Sequence, residues 1–172
     1  MKHLSLSAMG SDIGDINNDG LEDMVVNEMM PFDNKRKKLF LNANNYNAYL
    51  QTEQFKYNYQ YTRNTLQLNR GNIPGSNVHA FSDIALLAGV QETDWSWTCL
   101  MADLDNDGWS DILITNGFPR DITDHDFGAF RHGPGSALVS KAELYDMIPQ
   151  IKVPNFVFRN RGNLTFEDVS KA

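Results

Sequence analysis

The chain has 172 residues, of which 41% are hydrophobic and 22% are charged, and its formal net charge is −7. This composition is typical of a globular protein large enough to bury a core. The negative charge argues against non-specific nucleic-acid binding, and no apolar stretch is long enough to cross a membrane. The single cysteine, Cys99, excludes an internal disulfide, and its apolar neighbours predict a small buried residue.

The first chemical motif is an acidic loop at residues 15–23, with the sequence DINNDGLED. Oxygen-bearing side chains recur at alternate positions, and Gly20 at position 6 permits a tight turn. Because Ca²⁺ takes about six to eight oxygen ligands, this spacing predicts a calcium site. The candidate ligands are the side chains of Asp15, Asn17, Asp19 and Asp23 and the carbonyl of Leu21. The apolar run Met24–Val26 then predicts a buried strand.

Residues 32–64 form a first insertion with a predicted helix and an aromatic segment. Tyr46, Tyr49 and Leu50 have the spacing of one helix face and predict a helix over about 43–55. Aromatic residues then occupy every second position: Phe55, Tyr57, Tyr59 and Tyr61. That period places them on one face of a strand, where they either cover the core or form an exposed strip. We expect them to cover the core.

Three further strands are predicted before the second acidic loop. Thr65–Asn69 and Ala80–Ala85 have strand patterns, and residues 73–79 between them contain Pro and Gly and predict a loop. Thr93–Ala102 is the third strand. Its alternation places four side chains on one face: Trp95, Trp97, Cys99 and Met101.

The acidic pattern returns 88 positions later at residues 103–111, DLDNDGWSD. The candidate ligands are the side chains of Asp103, Asp105, Asp107 and Asp111 and the carbonyl of Trp109. Asp-Gly sequences also form ordinary exposed turns, but four carboxylates this close repel one another unless a cation neutralises them. We therefore expect a second calcium ion, bound independently of the first. A strand is predicted to follow at Ile112–Thr115.

The second insertion covers residues 118–154 and begins with the polar segment RDITDHDFGAF. Ser140 and Glu143 have the spacing of a capping box, and apolar residues at helical spacing follow them. Beyond the insertion, Asn155–Asn160 and Leu164–Val169 are predicted to pair as a hairpin through an Arg-Gly-Asn turn.

These motifs occur twice in the same order, at offsets of 88, 91 and 85 residues. The repetition divides the chain into two units, residues 1–92 and 93–172, each with about four short strands and one insertion. Repeated four-stranded units are typical of propeller blades or related stacked sheets. The expected fold class is all-β with minor helical insertions, as two four-stranded blades of a partial, open β-propeller.

The segments GDINNDGLEDMVV and ADLDNDGWSDILITNG resemble FG-GAP or VCBS repeats, the integrin-α-like propeller blades with an Asp-x-Asp-x-Asp-Gly-x-x-Asp calcium loop. LQLNRGN…FSDIALLAGV and FVFRNRGNLTFEDVS resemble the other half of these repeats. DWSW before the second loop and NGFPRD after it are similar to bacterial VCBS proteins that end in an ASPIC/UnbV-type domain.

The resemblance implies a β-propeller with structural Ca²⁺ in loops between adjacent strands. It also implies a non-catalytic module that binds a protein or carbohydrate at the cell surface or outside the cell. We expect this chain to be a fragment of a longer exported protein, which supplies the remaining blades and the signal peptide that this segment lacks.

Two alternatives share parts of this pattern. EF-hands and dockerins need a carboxylate at position 12 of the loop, where this chain has Val26 and Ile114, so both are rejected. A metal-dependent or acid–base enzyme would use a cluster in the second insertion: Asp121, Asp124, His125 and Asp126. The competing interpretation, which we favour, is a polar loop at the head of the insertion, in which Asp124→Ala changes stability little.

Overall fold

The structure is a computed structural model that describes residues 3–40, 46–117 and 119–171. Its strands are β1 (His3–Ser5), β2 (Ser11–Gly14), β3 (Asp23–Val26), β4 (Tyr59–Tyr61), β5 (Thr65–Asn72), β6 (His79–Asp83), β7 (Ser96–Ala102), β8 (Asp111–Asn116), β9 (Phe156–Asn160) and β10 (Phe166–Asp168). Its helices are α1 (Asn34–Leu39), α2 (Tyr46–Phe55), α3 (Ala85–Ala88), α4 (His125–His132) and α5 (Lys141–Asp146), with a 3₁₀ helix at Pro134–Leu138. Sheet dominates and the helices are short, which agrees with the predicted all-β class with minor helical insertions.

Two four-stranded antiparallel sheets carry the fold. The first has the strand order β2-β3-β5-β6 and the second β7-β8-β9-β10, so both follow the order of the chain. In each sheet an acidic loop joins the first two strands, and the insertion separates the second strand from the third. Neither sheet closes on itself within the described residues.

One hydrophobic core lies between these two sheets. The first sheet contributes Val25, Leu66 and Leu68, which pack with residues of the second sheet: Cys99, Ile112, Ile114, Phe156 and Phe158. The strands β2 and β7 lie side by side, and the Met101 N–H donates to the Asp12 carboxylate at 2.7 Å. Burial of this shared apolar surface holds the two units together.

The expectation that the aromatic segment covers the core is wrong. Among the described residues, β4 pairs only with β1, in parallel, and the two form a third sheet. Tyr57 is 70% exposed and Phe55 is 58% exposed, whereas Tyr59 and Tyr61 are half-buried. Phe55 is the last residue of α2 and Tyr57 lies between α2 and β4, so only Tyr59 and Tyr61 share the strand on which the prediction placed all four aromatic residues.

The strand predicted at Thr93–Ala102 begins three residues later, at Ser96. Its pairing with β8 is irregular between Ser96 and Thr98, which is the signature of a β-bulge. Trp97 is therefore 42% exposed although Cys99, two residues further on, is 5% exposed. The bulge breaks the regular alternation on which the prediction of a common face depended.

Two helix predictions are confirmed where the structure describes the chain. The helix predicted at about 43–55 is α2, and residues 43–45 lie outside the described residues. The capping box is present at α5, where the Glu143 N–H donates to Ser140 Oγ at 3.3 Å and the Ser140 N–H donates to Glu143 Oε2 at 2.8 Å. Among the described residues, every helix falls short of the length and apolar character that a bilayer crossing requires.

Candidate metal centre

The second acidic loop turns tightly between β7 and β8. Asn106 (φ +62°) and Gly108 (φ +89°) are in the left-handed region, which Asn and Gly adopt more readily than other residues. The Asp103 carboxylate closes the turn by accepting the N–H of Asp107 at 3.0 Å and that of Gly108 at 2.9 Å. The loop geometry is therefore organised around the first carboxylate.

The last carboxylate of this loop, Asp111, is 2% exposed and begins β8. One of its oxygens accepts the N–H of Leu104 at 3.1 Å and the other accepts the N–H of Asn160 at 2.8 Å. Asp111 thus ties the start of the loop to the end of β9. Asn160 in turn donates from its side-chain amide to the Ser110 carbonyl at 3.0 Å.

Three carboxylates converge at this loop. Asp103, Asp105 and Asp111 each present an oxygen, and these oxygens all lie within 4.8 Å of one another. Asp105 is exposed, so a cation would reach the group from solvent. Such a cluster of carboxylates could hold a metal ion, and oxygen ligands of this kind suit Ca²⁺, Mg²⁺ or Mn²⁺.

Two predicted ligands of the second loop lie outside that group of three. Asp107 uses Oδ1 to accept the N–H of Trp109 at 2.9 Å. A side chain at Gly162 would come within 3.0 Å of the Trp109 ring, so the indole lies against the β9–β10 turn. Trp109 belongs to the acidic loop by its backbone, and its side chain connects that loop to the β9–β10 hairpin.

The first loop repeats most of these hydrogen bonds. Asp15 accepts the N–H of Asp19 at 3.2 Å and that of Gly20 at 2.8 Å, as Asp103 does in the second loop. Asp23 is fully buried and accepts the N–H of Ile16 at 3.0 Å and that of Asn69 at 2.7 Å, as Asp111 does. Burial raises the pKa of the Asp23 carboxyl, and these two backbone donors oppose the rise.

The first loop differs from the second at Asn17. Its side-chain amide donates to Asp19 Oδ2 at 2.9 Å, so one carboxylate there already has a hydrogen-bond donor. Leu21 occupies the position of Trp109, and its N–H donates to Asp19 Oδ1 at 2.8 Å. No group of three acidic side chains converges at this loop among the described residues.

The two loops contact each other. The Asn18 side-chain amide donates to the Gly108 carbonyl at 3.1 Å. Asn160, which is paired with Asp111, also donates to the carbonyl of Ile16 at 2.8 Å. The candidate metal centre of the second unit is therefore built against the first loop.

The alternative catalytic cluster of the second insertion does not converge. Asp121 is buried and pairs with Arg36, and Asp124 caps α4 by accepting the Phe127 N–H at 2.9 Å. Both line a cavity of about 210 Å³, but His125 and Asp126 are exposed on α4 and do not line it. Asp121 and Asp124 thus have structural partners that the sequence pattern did not reveal.

A second candidate binding feature is the tyrosine surface, which we define as the side chains of Tyr46, Tyr49, Tyr59 and Tyr61. Neighbouring rings in this series are nearly parallel, with centroids 6.0–6.4 Å apart. The Tyr59 hydroxyl donates to Glu53, which raises the pKa of Tyr59 to about 12. Beside it lies a cavity of about 290 Å³ lined by Thr52, Glu53, Lys56, Tyr57, Asn58 and Tyr59.

Sequence reasoning missed the asparagines that hold the last carboxylate of each loop. Asn69 and Asn160 donate their N–H groups to Asp23 and Asp111 from the third strand of each sheet. The signal was present, because both residues belong to the Asn-Arg-Gly-Asn segment that occurs once in each unit.

Comparisons of the chain with protein-family models, with curated proteins and with solved structures found no match. The function is therefore inferred from the residues and their geometry.

Proposed function

We propose that this chain is a calcium-binding repeat module of the FG-GAP/VCBS type, with no catalytic role. The single observation that carries the proposal is the convergence of Asp103, Asp105 and Asp111, with one oxygen from each within a span of 4.8 Å. Hard carboxylate oxygens suit Ca²⁺ better than the softer transition metals. The Asp107 carboxylate and the Trp109 carbonyl complete the proposed ligand set.

We propose a second calcium site in the first loop, with ligands Asp15, Asn17, Asp19, Asp23 and the carbonyl of Leu21. The hydrogen bonds of Asp15 and Asp23 support this proposal because they repeat those of Asp103 and Asp111. The site has one fewer carboxylate, and the amide of Asn17 already donates to Asp19. It therefore binds Ca²⁺ more weakly than the second loop does.

The calcium is structural in this proposal. It neutralises carboxylates that repel one another and fixes the loop that joins two strands. The backbone contacts of Asp111 support such a role, because the same side chain reaches both the loop and β9. The two four-stranded sheets are then adjacent blades of a β-propeller.

The ligand of the module is a protein or a carbohydrate, bound outside the cell or at its surface. The tyrosine surface supports this part of the proposal, because exposed aromatic rings beside polar groups suit both kinds of ligand. Glu53, Lys56 and Asn58 supply hydrogen-bonding groups beside the rings. We propose that the module acts as part of a longer exported chain.

Calorimetric titration of the metal-free protein with Ca²⁺ and with Mg²⁺ tests the calcium site. We expect Ca²⁺ to bind more tightly, and Asp105→Asn to weaken the second site at least tenfold. Asp126→Asn is the matched control, since it removes an exposed carboxylate outside both loops. A folded protein that takes up no Ca²⁺ and gains no thermal stability from it would refute the proposal.

Terbium luminescence distinguishes the two loops. Trp109 lies within the second loop, whereas Leu21 occupies the equivalent position in the first. Energy transfer from Trp109 to bound Tb³⁺ therefore reports chiefly on the second site. Trp109→Phe should remove most of the luminescence while calorimetric binding persists; unchanged luminescence would show that Tb³⁺ binds elsewhere.

The ligand surface is tested with short neutral oligosaccharides, followed by tyrosine fluorescence. We expect a saturable change that Tyr46→Ala and Tyr49→Ala, both on the tyrosine surface, abolish. Tyr145→Ala is the control, because Tyr145 is similarly exposed but lies in the second insertion. Saturation that persists in the Tyr46 and Tyr49 variants would place the sugar elsewhere, and no response to any sugar would leave a protein as the ligand.

A further inference from the structure

Helices α4 and α5 of the second insertion form a hairpin with a hydrogen-bonded base. At the base, the Asp121 N–H donates to the Pro149 carbonyl at 2.7 Å, and the Ile151 N–H donates to the Pro119 carbonyl at 3.1 Å. The 3₁₀ helix Pro134–Leu138 joins the other ends of the two helices. The chain therefore leaves the base along α4 and returns to it along α5.

A cavity of about 210 Å³ lies between the two helices, and we call it the hairpin groove. Its walls are apolar, since Phe127 of α4 faces Leu144 of α5 and Ile148 just beyond that helix. Phe127 is buried, whereas Ile122 at the base is 43% exposed, so the groove is open to solvent. Sites for drug-sized ligands have volumes of about 300–1,000 Å³, so the groove suits a smaller molecule.

Tyr145 forms a further wall of the groove and is held in place by Arg120. The Arg120 guanidinium lies 4.3 Å from the centre of the Tyr145 ring, and its Nη1 donates to the Tyr145 carbonyl at 2.9 Å. A cation over an aromatic ring is attracted to it, so the ring keeps its position although Tyr145 is 58% exposed. A wall that is already ordered loses little further entropy when a ligand covers it.

The two charged side chains that line the groove are both basic. Arg131 is in the last turn of α4 and Lys141 is the first residue of α5, so both lie at the end of the groove away from the base. Within the described residues neither side chain has an ion pair, although the chain carries a net charge of −7. One end of the apolar groove is therefore positively charged.

The carboxylates nearest to these cations in sequence are engaged elsewhere or face away. Glu143 completes the capping box with Ser140, and Asp146 lies 3.6 Å from Arg120. Asp126 of α4 does not line the groove. No carboxylate is thus among the described residues that line the groove, and its positive charge is available to a ligand.

We propose that the hairpin groove binds a small carboxylate with an unbranched alkyl chain, such as octanoate. The carboxylate contacts Arg131 and Lys141, and the chain lies between the helices toward the base. From Lys141 to Ile148 the groove extends about 10 Å, at about 1.5 Å per residue, which matches an elongated rather than a compact ligand. The guanidinium of Arg131 can bind both oxygens of a carboxylate at once.

This site is separate from the sites of the proposed function. Neither acidic loop and no residue of the tyrosine surface lines the groove. We therefore expect octanoate to bind whether or not Ca²⁺ is present, so a failure of either proposal leaves the other standing.

Methyl NMR of the full chain, titrated with octanoate, tests the proposal. We expect saturable shifts of the methyl groups of Ile122, Leu144 and Ile148, with half-saturation at roughly 1 mM, which is ordinary for a ligand of about ten non-hydrogen atoms. Leu86 and Leu87 are the internal control, because they are 67% and 63% exposed on α3, outside the groove. Equal shifts at these two leucines would show non-specific association and overturn the proposal.

Two related ligands separate the contributions of the chain and the charge. Hexanoate lacks two methylenes and should bind about fivefold to tenfold more weakly, because each buried methylene strengthens binding roughly threefold. Octylammonium keeps the chain but carries the opposite charge, so it should bind the groove at least tenfold more weakly than octanoate.

Variants of the lining residues assign the two contributions to this site. Arg131→Gln combined with Lys141→Gln should weaken octanoate binding about fivefold to tenfold and remove the preference over octylammonium. Ile122→Gln should weaken the binding of both ligands, and circular dichroism checks that each variant folds. Lys38→Gln is the matched control, since Lys38 is an exposed lysine of the first insertion.

Two results would overturn the proposal. The first is a wild-type protein whose groove methyl groups do not shift at ten times the expected half-saturation concentration of octanoate. The second is a folded variant without the charges of Arg131 and Lys141 that keeps the full preference for octanoate over octylammonium.

Discussion

Arg36 holds Asp94 by a two-point ion pair, in which Nε lies 2.7 Å from Oδ2 and Nη2 lies 2.8 Å from Oδ1. Asp94 is fully buried and has a φ of +67°, an unusual conformation for a residue other than Gly. The third nitrogen of the guanidinium contacts Asp121. One side chain of the first insertion thus fixes the residues before β7 and the beginning of the second insertion.

Arg36→Met should lower the free energy of unfolding by about 3–5 kcal/mol, because two buried carboxylates lose their partner. The measurement is chemical denaturation of both proteins under identical conditions. Lys37→Met is the matched control, since Lys37 pairs with Glu92 at a more exposed position and should cost about 0–1 kcal/mol. Equal losses in the two variants would show that the Arg36 pair contributes no more than a surface contact.

Asp124→Ala should cost about 1 kcal/mol, which corrects the expectation that it changes stability little. The Asp124 carboxylate accepts the Phe127 N–H at 2.9 Å and caps α4, and removal of such a cap has this typical cost. His125→Ala, at the exposed next position, provides the comparison by thermal unfolding. Identical melting temperatures for the two variants would contradict the capping role.

Gly162→Ala should destabilise the protein more than Gly75→Ala. Both glycines have positive φ, +67° and +79°, so an alanine costs about 1–2 kcal/mol at either position. Only at Gly162 does the added Cβ come within 3.0 Å of the Trp109 ring, whereas at Gly75 it meets nothing within 4 Å. Urea denaturation measures the difference in unfolding free energy between the two variants. A change in tryptophan emission in the Gly162 variant alone would show that the additional loss arises at Trp109.

The thiol of Cys99 should be unreactive in the folded protein. Burial raises its pKa to about 11, with a smaller contribution from Asp12. The thiolate fraction at pH 8 is then roughly a hundredfold lower than for a free cysteine, and the 5% exposure slows attack further. Because the folded-state pKa is raised, this group stabilises the fold below the unfolded pKa of about 8.5, and that stability is lost as the pH rises toward 11.

A thiol reagent such as dithiobisnitrobenzoate measures this protection. Labelling at pH 8 should be slow in buffer and rapid in urea above the unfolding midpoint. Rapid labelling of a sample that remains folded by circular dichroism would contradict the buried position of Cys99.

Features that depend on neighbouring residues were predictable from the sequence. The tight turns of the acidic loops follow from Gly and Asn at positions that require left-handed backbone, and the capping box of α5 follows from Ser140 and Glu143. The four-stranded form of each unit followed from the repetition of its segments. In the turns and in the capping box, the sequence contains both partners of the interaction within a few residues.

Features that depend on distant partners were not predictable. β2 (Ser11–Gly14) lacks the composition of a strand, and its pairing with the apolar β3 imposes the extended conformation. The pairing of Arg36 with Asp94 joins residues 58 positions apart. The exposure of Tyr57 depended on where α2 ends and β4 begins, because Tyr57 lies between them, and a period of two does not specify that boundary.

The hydrogen bond between Asn18 and the Gly108 carbonyl has a consequence for how the proposed calcium sites fill. A cation that orders one loop would also fix a hydrogen-bonding partner of the other, so we now expect the two proposed sites to be coupled rather than independent. A coupling free energy is reciprocal, so occupancy of the proposed first site would raise the affinity of the second by the same factor by which occupancy of the second would raise that of the first. The pair of loops would then bind calcium cooperatively, as one sensor that fills over a narrower range of calcium concentration than either loop would alone.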